Sequence, residues 1–175
     1  MGDAVKPERG RLLQWMDRMR VKGIMDSPEE LAKARIWGMG DRSVHAIVSV
    51  AGRERSLEGK CAYLVGIAAQ LGFDCSEAMP LLRRLLFDQV DPIEKRAAAM
   101  ALASVGSEEA FVMLKDALHC DSSITKQVAA IGLGMMRGKF AEKAREELEH
   151  AVRRDGNMGV QIAARRSLTS WPPQG

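Results

Sequence analysis

Aromatic residues are scarce in this chain: four Phe, three Trp and one Tyr make up 5% of 175 residues. Cysteine is scarcer still, with only Cys61, Cys75 and Cys120, widely spaced and without a Cys-x-x-Cys pair. That odd, scattered set speaks against a disulfide framework or a thiolate metal site, and free thiols in a reducing cytoplasm are the economical reading. No hydrophobic run approaches the roughly 20 residues that span a bilayer, so no membrane helix is expected. Met1–Gly10 contains no apolar h-region of a secretory signal. Lys6 and Pro7 stand where a myristoylation signal after Gly2 would want Ser or Thr. A strong excess of one charge is missing as well. The net +3 divides into +3 over residues 1–60 (12 basic against 9 acidic), −3 over 61–120 (5 against 8) and +3 over 121–175 (9 against 6). Nucleic-acid binders concentrate basic charge on one stripe, so this distribution argues against that function.

What is present is helical material. Hydrophobic residues reach 46%, charged residues 28%, and methionine alone numbers 11. Ala and Leu dominate, and such residues lose little rotamer freedom in a helix. The length suits one domain with a sizeable core. The second half then repeats itself. Asp91-Pro-Ile-Glu-Lys-Arg-Ala-Ala-Ala-Met-Ala-Leu102 is echoed by Asp121-Ser-Ser-Ile-Thr-Lys-Gln-Val-Ala-Ala-Ile-Gly-Leu133 and, more loosely, by Asp155-Gly-Asn-Met-Gly-Val-Gln-Ile-Ala-Ala-Arg-Arg-Ser-Leu168. The copies begin 30 and then 34 residues apart. A period in that range marks a stack of units, none of which buries its apolar face alone.

Each unit reads as two helices. Glu109–Leu118 has Ala110, Met113, Leu114, Ala117 and Leu118 at helical spacing, and a polar turn, residues 119–123, precedes a second helix over about 124–136. That second helix is expected to bury Ile124, Val128, Ala129, Gly132 and Leu133, with Gly138 closing it. Upstream, Glu77–Leu86 carries Pro80 in its first turn, and Asp91-Pro92 opens a helix that Gly106 ends. Downstream, Phe140–Val152 pairs charges at i, i+4 (Lys143–Glu147, Glu149–Arg153), and a final helix over about 158–170 stops at Trp171-Pro-Pro173. The first half is more degenerate. Arg11–Met19 and Ser27–Trp37, the latter with a Ser27, Pro28, Glu30 capping box, would form one unit. Asp41–Val50 and Glu58–Leu71 would form another. The β-branched run Val44–Val50 could pass for a strand, yet a lone strand would find no partner elsewhere. The expected division is a flexible 1–10, a single repeat domain over 11–171 with units of about 11–40, 41–75, 76–106, 107–138 and 139–171, and a tail at 172–175.

The pattern Asp-(Pro)-x-x-x-Arg-x-Ala-Ala-x-x-Leu, an outer helix of the form Ala-x-x-x-Leu-x-x-x-Leu and the period together resemble HEAT repeats, the short bacterial type of phycobilisome-lyase proteins most of all. Thr-Pro-Leu-His and Trp-x-x-Leu-Gly-x-x-Tyr, the marks of ankyrin and tetratricopeptide repeats, are missing. The resemblance implies an all-α, right-handed superhelix of about five helix pairs. It also implies a ladder between turn aspartates and inner-helix cations, which Asp91 with Arg96 and Asp121 with Lys126 could carry. Arg165 and Arg166 would form the polar outer side of a terminal cap.

No catalytic constellation emerges, and neither a cofactor nor a metal is expected. His45, His119 and His150 fall in different units without the carboxylate or cysteine spacing of a metal site. His119-Cys120-Asp121 is better read as a turn, since triad partners come from distant segments. Glu29-Glu30 and Glu108-Glu109 sit in first helical turns, where negative charge suits the dipole. Gly38-Met-Gly40 and Gly132-Leu-Gly134 lack the Lys-Ser/Thr and preceding strand of a phosphate loop, so close helix packing explains the latter pair. Lys60, Lys95 and Lys126 recur at the start of successive inner helices. They would either pair with turn aspartates or form a basic row attracting an acidic segment. Between them Tyr63, Met100 and Ile131, with Ala99, Ala103 and Ala130, would make a shallow groove for a helix or extended peptide. Most methionines, Met79, Met113 and Met135 among them, fall at core spacing, whereas Trp15, Met16 and Met19 suit a surface near the open end. The expectation is therefore a non-enzymatic scaffold that binds a protein or peptide partner on its concave face through Lys60, Tyr63, Lys95, Met100, Lys126 and Ile131. A bilin-lyase-like accessory enzyme and a nucleic-acid-binding HEAT-like protein are the alternatives the resemblance permits.

Overall fold

The computed structural model describes residues 28–89 and 91–171, with backbone alone for 28–31 and 34. The expected helix over 11–19, with Trp15, Met16 and Met19, lies outside these residues, as do the Ser27 cap and the two terminal tails. Nine α-helices run through the described residues, with no strand among them. They are α1 (Pro28–Met39), α2 (Arg42–Ala51), α3 (Glu58–Gln70), α4 (Met79–Phe87), α5 (Pro92–Val105), α6 (Glu108–Leu118), α7 (Ser123–Met135), α8 (Ala141–Arg154) and α9 (Met158–Thr169). Single 3₁₀ turns at Arg55–Leu57, Ser76–Ala78 and Gly138–Phe140 lead into α3, α4 and α8. The β-branched run Val44–Val50 is helical in α2, because its alternation of buried Val44, Ala46, Ile47 and Val50 follows a helix face.

Helix starts follow local chemistry. Asp91 caps α5 by accepting the Ile93 N–H at 2.8 Å, with Pro92 in the first turn. Ser107 caps α6, Ser122 caps α7 and Asn157 caps α9, each accepting a backbone N–H three residues on. The turn aspartates Asp121 and Asp155 thus stand just ahead of the caps. Gly106 ends α5 with φ 61°, donating to the Leu102 carbonyl. Gly138 does not close α7 as expected. That helix stops at Met135, extended Met136 leads the chain out, and Gly138 (φ 69°) opens the turn before α8.

The helices form two rows. α1, α3, α5, α7 and α9 pack one against the next as an inner row, while α2, α4, α6 and α8 stand behind them and touch one another far less. Closer packing in one row than in the other curves a stack of helix pairs toward the closer row, which gives that row the concave side. Inner neighbours run parallel: Gly59 near the start of α3 faces Glu94 near the start of α5, and Gln70 at the end of α3 donates to Ser104 at the end of α5. Their approach is set by small residues. Gly66 meets Ala101, Gly132 meets Ala99 and Gly134 meets Ser167. Larger leucines fill the space between rows, among them Leu85, Leu102, Leu114, Leu133 and Leu148, all fully buried. Each such side chain contributes about 1.5–3 kcal/mol through burial.

Charges tie successive units together, though not as the sequence suggests. Lys126 reaches forward to Asp155 of the next loop at 3.0 Å rather than back to Asp121. Arg96 makes no ion pair among the described residues and so no rung with Asp91. On the outer row Glu147 of α8 receives Lys115 of α6 at 2.6 Å and His119, the residue after α6, at 3.0 Å. Lys143, expected to pair with Glu147, instead lies over the Phe140 ring, while Glu149 does hold Arg153 at 3.6 Å, with Arg145 as a second partner at 3.2 Å. Deeper in the stack, Glu58 of α3 is 1% exposed and accepts from Arg84 of α4 at 2.8 Å and from Gln89 at 3.3 Å.

Two of these acceptors give the stack an acid limit. Burial alone would raise Glu147, but its bonds from Lys115 and His119 outweigh that and hold it below the usual carboxylate range. Burial likewise works against Asp155, yet the Asn157 N–H and the Lys126 ammonium lower it. A carboxylate whose folded pKa is depressed contributes stability above its unfolded pKa, near about 4, and loses it as pH falls through the folded value. Acid titration followed by helical circular dichroism should show cooperative loss below about pH 4. Glu147→Gln with Asp155→Asn should start less stable at neutral pH and lose less on acidification. An unchanged acid profile in that double variant would remove these ties from the account.

Candidate interaction face

Exposed large hydrophobic side chains are not scattered over the molecule. Among the described residues, Trp37, Tyr63, Ile93, Ile124, Met135, Met158 and Ile162 all belong to inner-row helices, and Val112 of α6 alone comes from the outer row. Isolated apolar residues on a surface need no explanation, but their segregation to one row does. Part of it follows from the repeat. Ile93, Ile124 and Met158 occupy corresponding places at the starts of α5, α7 and α9, and Ile93 is 77% exposed. The expected burial of Ile124 is therefore incorrect, because the first-turn position of an inner helix points past its neighbour rather than between rows.

Between α3 and α5 this face sinks into a groove of about 420 Å³. Its walls are Tyr63 and Ile67 on one side and Ile93, Ala97 and Met100 on the other, with Met135 from α7 at the rim. Gly66 and Ala101 keep its floor low because neither carries bulk. The volume falls in the range of about 300–1,000 Å³ common for binding pockets. Gln70 and Ser104, hydrogen-bonded at 3.4 Å, lie at its C-terminal end, and Arg96 is the charged residue of its lining.

The six residues expected to form a site divide. Tyr63 and Met100 line the same groove, Tyr63 being 45% exposed. Lys60 is exposed one turn before Tyr63, and Ile131 is partly exposed on α7 outside the groove. Lys126 is half-buried and engaged by Asp155. Lys95 is a correction: it is 4% exposed, and its ammonium donates to the carbonyls of Leu86 (2.7 Å) and Phe87 (3.2 Å). Those carbonyls end α4, where orphan acceptors attract a cation, and burial lowers the Lys95 pKa. Ala99 and Ala130 are likewise buried in the seams and do not line a surface. Of the other lining residues, Ile93 and Gln70 carry no expectation from the sequence, Arg96 was assigned to the ladder and Met135 to the core. The recurrence of Ile at 93 and 124, two residues after the cap, was the signal that could have found the first.

Other clusters do not converge on chemistry. His45 bonds Glu77 at 2.7 Å, and the rings of His119 and His150 meet edge-on at 6.2 Å. Among the described residues no three of His, Cys, Asp and Glu are placed to hold a metal. Burial pushes the Cys61 thiol up to about 12 and that of Cys75 to about 11, which leaves both poor nucleophiles. A second depression of about 510 Å³ has Asp74, Glu108 and Glu109 at its mouth, but Asp74 caps Ser76 and the glutamates occupy the first turn of α6. No described helix is long and apolar enough to cross a membrane.

Comparison with known proteins agrees with the stacked helix pairs. No curated protein and no solved structure matches the chain. The family model for HEAT repeats matches residues 46–134, from α2 through the end of α7, and does not single out the phycobilisome-lyase type. With parallel inner helices, caps in register and a match over half its length, this chain belongs to the HEAT-repeat family.

Proposed function

We propose that the protein is a non-enzymatic interaction scaffold that takes a partner polypeptide on its concave face. The observation that carries this reading is the confinement of the large exposed apolar side chains among the described residues, with one exception, to the inner helices. Such a surface, bounded by polar residues, is what a helix or extended peptide needs for docking. Of the residues expected from sequence, Lys60, Tyr63, Met100 and Ile131 remain as contacts, and Ile93 and Met135 join them. Lys95 and Lys126 serve the stack instead.

Affinity capture from an extract of the protein's own source tests this. Tyr63→Ser with Ile93→Ser should reduce recovery of specific partners by about tenfold or more, as loss of central apolar anchors does. Val112→Ser on the outer row should leave recovery unchanged. Equal recovery by all three proteins would sink the concave-face reading.

A further inference from the structure

Resting on that reading, we infer that the groove between α3 and α5 selects one kind of segment: a short peptide or helix that places an aliphatic or aromatic side chain beside a carboxylate. The apolar half of this specificity comes from the walls. Tyr63, Ile93, Ala97 and Met100 surround a hollow with room for a bulky side chain, floored by Gly66 and Ala101. The charged half comes from Arg96. It is the charged group in the lining and has no ion pair among the described residues. Lys60, on the same side of α3 as Tyr63, has none either.

The neighbouring carboxylates cannot satisfy these cations because each is otherwise placed. Glu58 is buried against Arg84 and Gln89. Asp91 accepts the Ile93 N–H. Glu94 lies against Gly59 in the seam between the helices, where burial and the charges of Asp91 and Glu58 work against its ionised form. The groove thus offers the Arg96 guanidinium toward its N-terminal end and a Gln70–Ser104 pair, able to bond a peptide backbone, at the other. A guanidinium beside an apolar hollow is matched by a carboxylate about one helical turn from a hydrophobic anchor, and it repels a basic one.

Phage-displayed random 12-residue peptides, selected on the intact chain, provide the probe. Enriched sequences should combine Leu, Ile, Phe or Trp with Asp or Glu at close spacing. A synthetic version of the winner, followed by fluorescence anisotropy, should bind the Arg96→Glu protein about three- to tenfold more weakly. Selection on Arg96→Glu should instead enrich Lys or Arg, an inversion that loss of folding cannot mimic. Ala97→Trp, which fills the hollow from a partly exposed position, should abolish binding while circular dichroism stays unchanged. Enrichment without acidic residues, or no enrichment at all, overturns the inference. So does undiminished binding to Ala97→Trp; loss of that binding on changing Ile124 and Ile162 would then show that the concave-face reading survives without the groove. Concentration-dependent self-association abolished by Ala97→Trp would identify a second copy as the occupant and likewise overturn it.

Discussion

Arg84→Met should lower stability by about 3 kcal/mol, a fall in Tm of roughly 6–12 °C for a chain of this size. The cause is Glu58, which is 1% exposed at the start of α3 and takes its strongest bond from Arg84. Without that guanidinium, Gln89 at 3.3 Å is the remaining side-chain donor to a buried carboxylate. Removing one member of a buried pair costs about 3–5 kcal/mol because the other charge is left uncompensated. The lower end applies here, since the Arg84 side chain is 41% exposed and its Nε is buried without a partner, a cost that the substitution relieves. Glu58→Met combined with Arg84→Met should recover to within about 1 kcal/mol of the parent, because an apolar pair of similar volume needs no compensation. Urea unfolding with unchanged m-values measures both. Wild-type stability in Arg84→Met alone would mean that Glu58 reaches water and that the pair is not what joins α3 to α4.

Gly134→Ala is expected to destabilise by about 1–2 kcal/mol, against the usual sign of a helical glycine replacement. Helix propensity favours Ala by about 1 kcal/mol. A methyl group at 134, however, would run into the Ser167 side chain, with its Oγ 2.7 Å and its Cα 3.2 Å away. Forcing volume into such a seam costs about 1–3 kcal/mol, and part of that opposition is backbone that cannot swing aside. Gly132→Ala should behave similarly, since the Ala99 carbonyl oxygen would be 2.9 Å from the new carbon. Gly66 provides the contrast: the nearest atom there is the Ala101 Cα at 3.4 Å, an ordinary contact, so Gly66→Ala should be neutral or slightly stabilising. Ser167→Gly in the Gly134→Ala background should restore part of the loss by removing the obstructing side chain. Thermal melts that rank Gly134→Ala above the parent would show that the inner helices can separate without penalty.

These two results probe different kinds of legibility. The inner-helix glycines announced themselves as packing residues, because Gly132-Leu-Gly134 had no phosphate-loop context and an internal helix glycine needs a compensation. The Glu58–Arg84 pair left no such trace: its members lie 26 residues apart in an irregular unit, and nothing local distinguishes Glu58 from a solvated first-turn glutamate. Lys95 misled for a related reason. It occupies the register of Lys126, yet one ammonium caps the end of α4 and the other reaches Asp155. Repetition of a residue type preserves its position on the helix but not the partner waiting there. That Tyr63 and Met100 line one groove was legible because both interrupt an otherwise small-residue face, whereas helical spacing alone does not tell a core methionine from one at a rim, as Met135 is.

By itself the sequence determined the stacking of helix pairs, their period, both ends of α5 and the small residues along their seams, since each follows from chemistry within one unit or its direct copy. Tertiary structure decided which cations turn inward, which first-turn isoleucines remain in solvent, and where two inner helices leave a hollow between them. Those outcomes depend on distances between units, and a difference of an ångström or two in how closely neighbours approach separates a filled seam from an open groove.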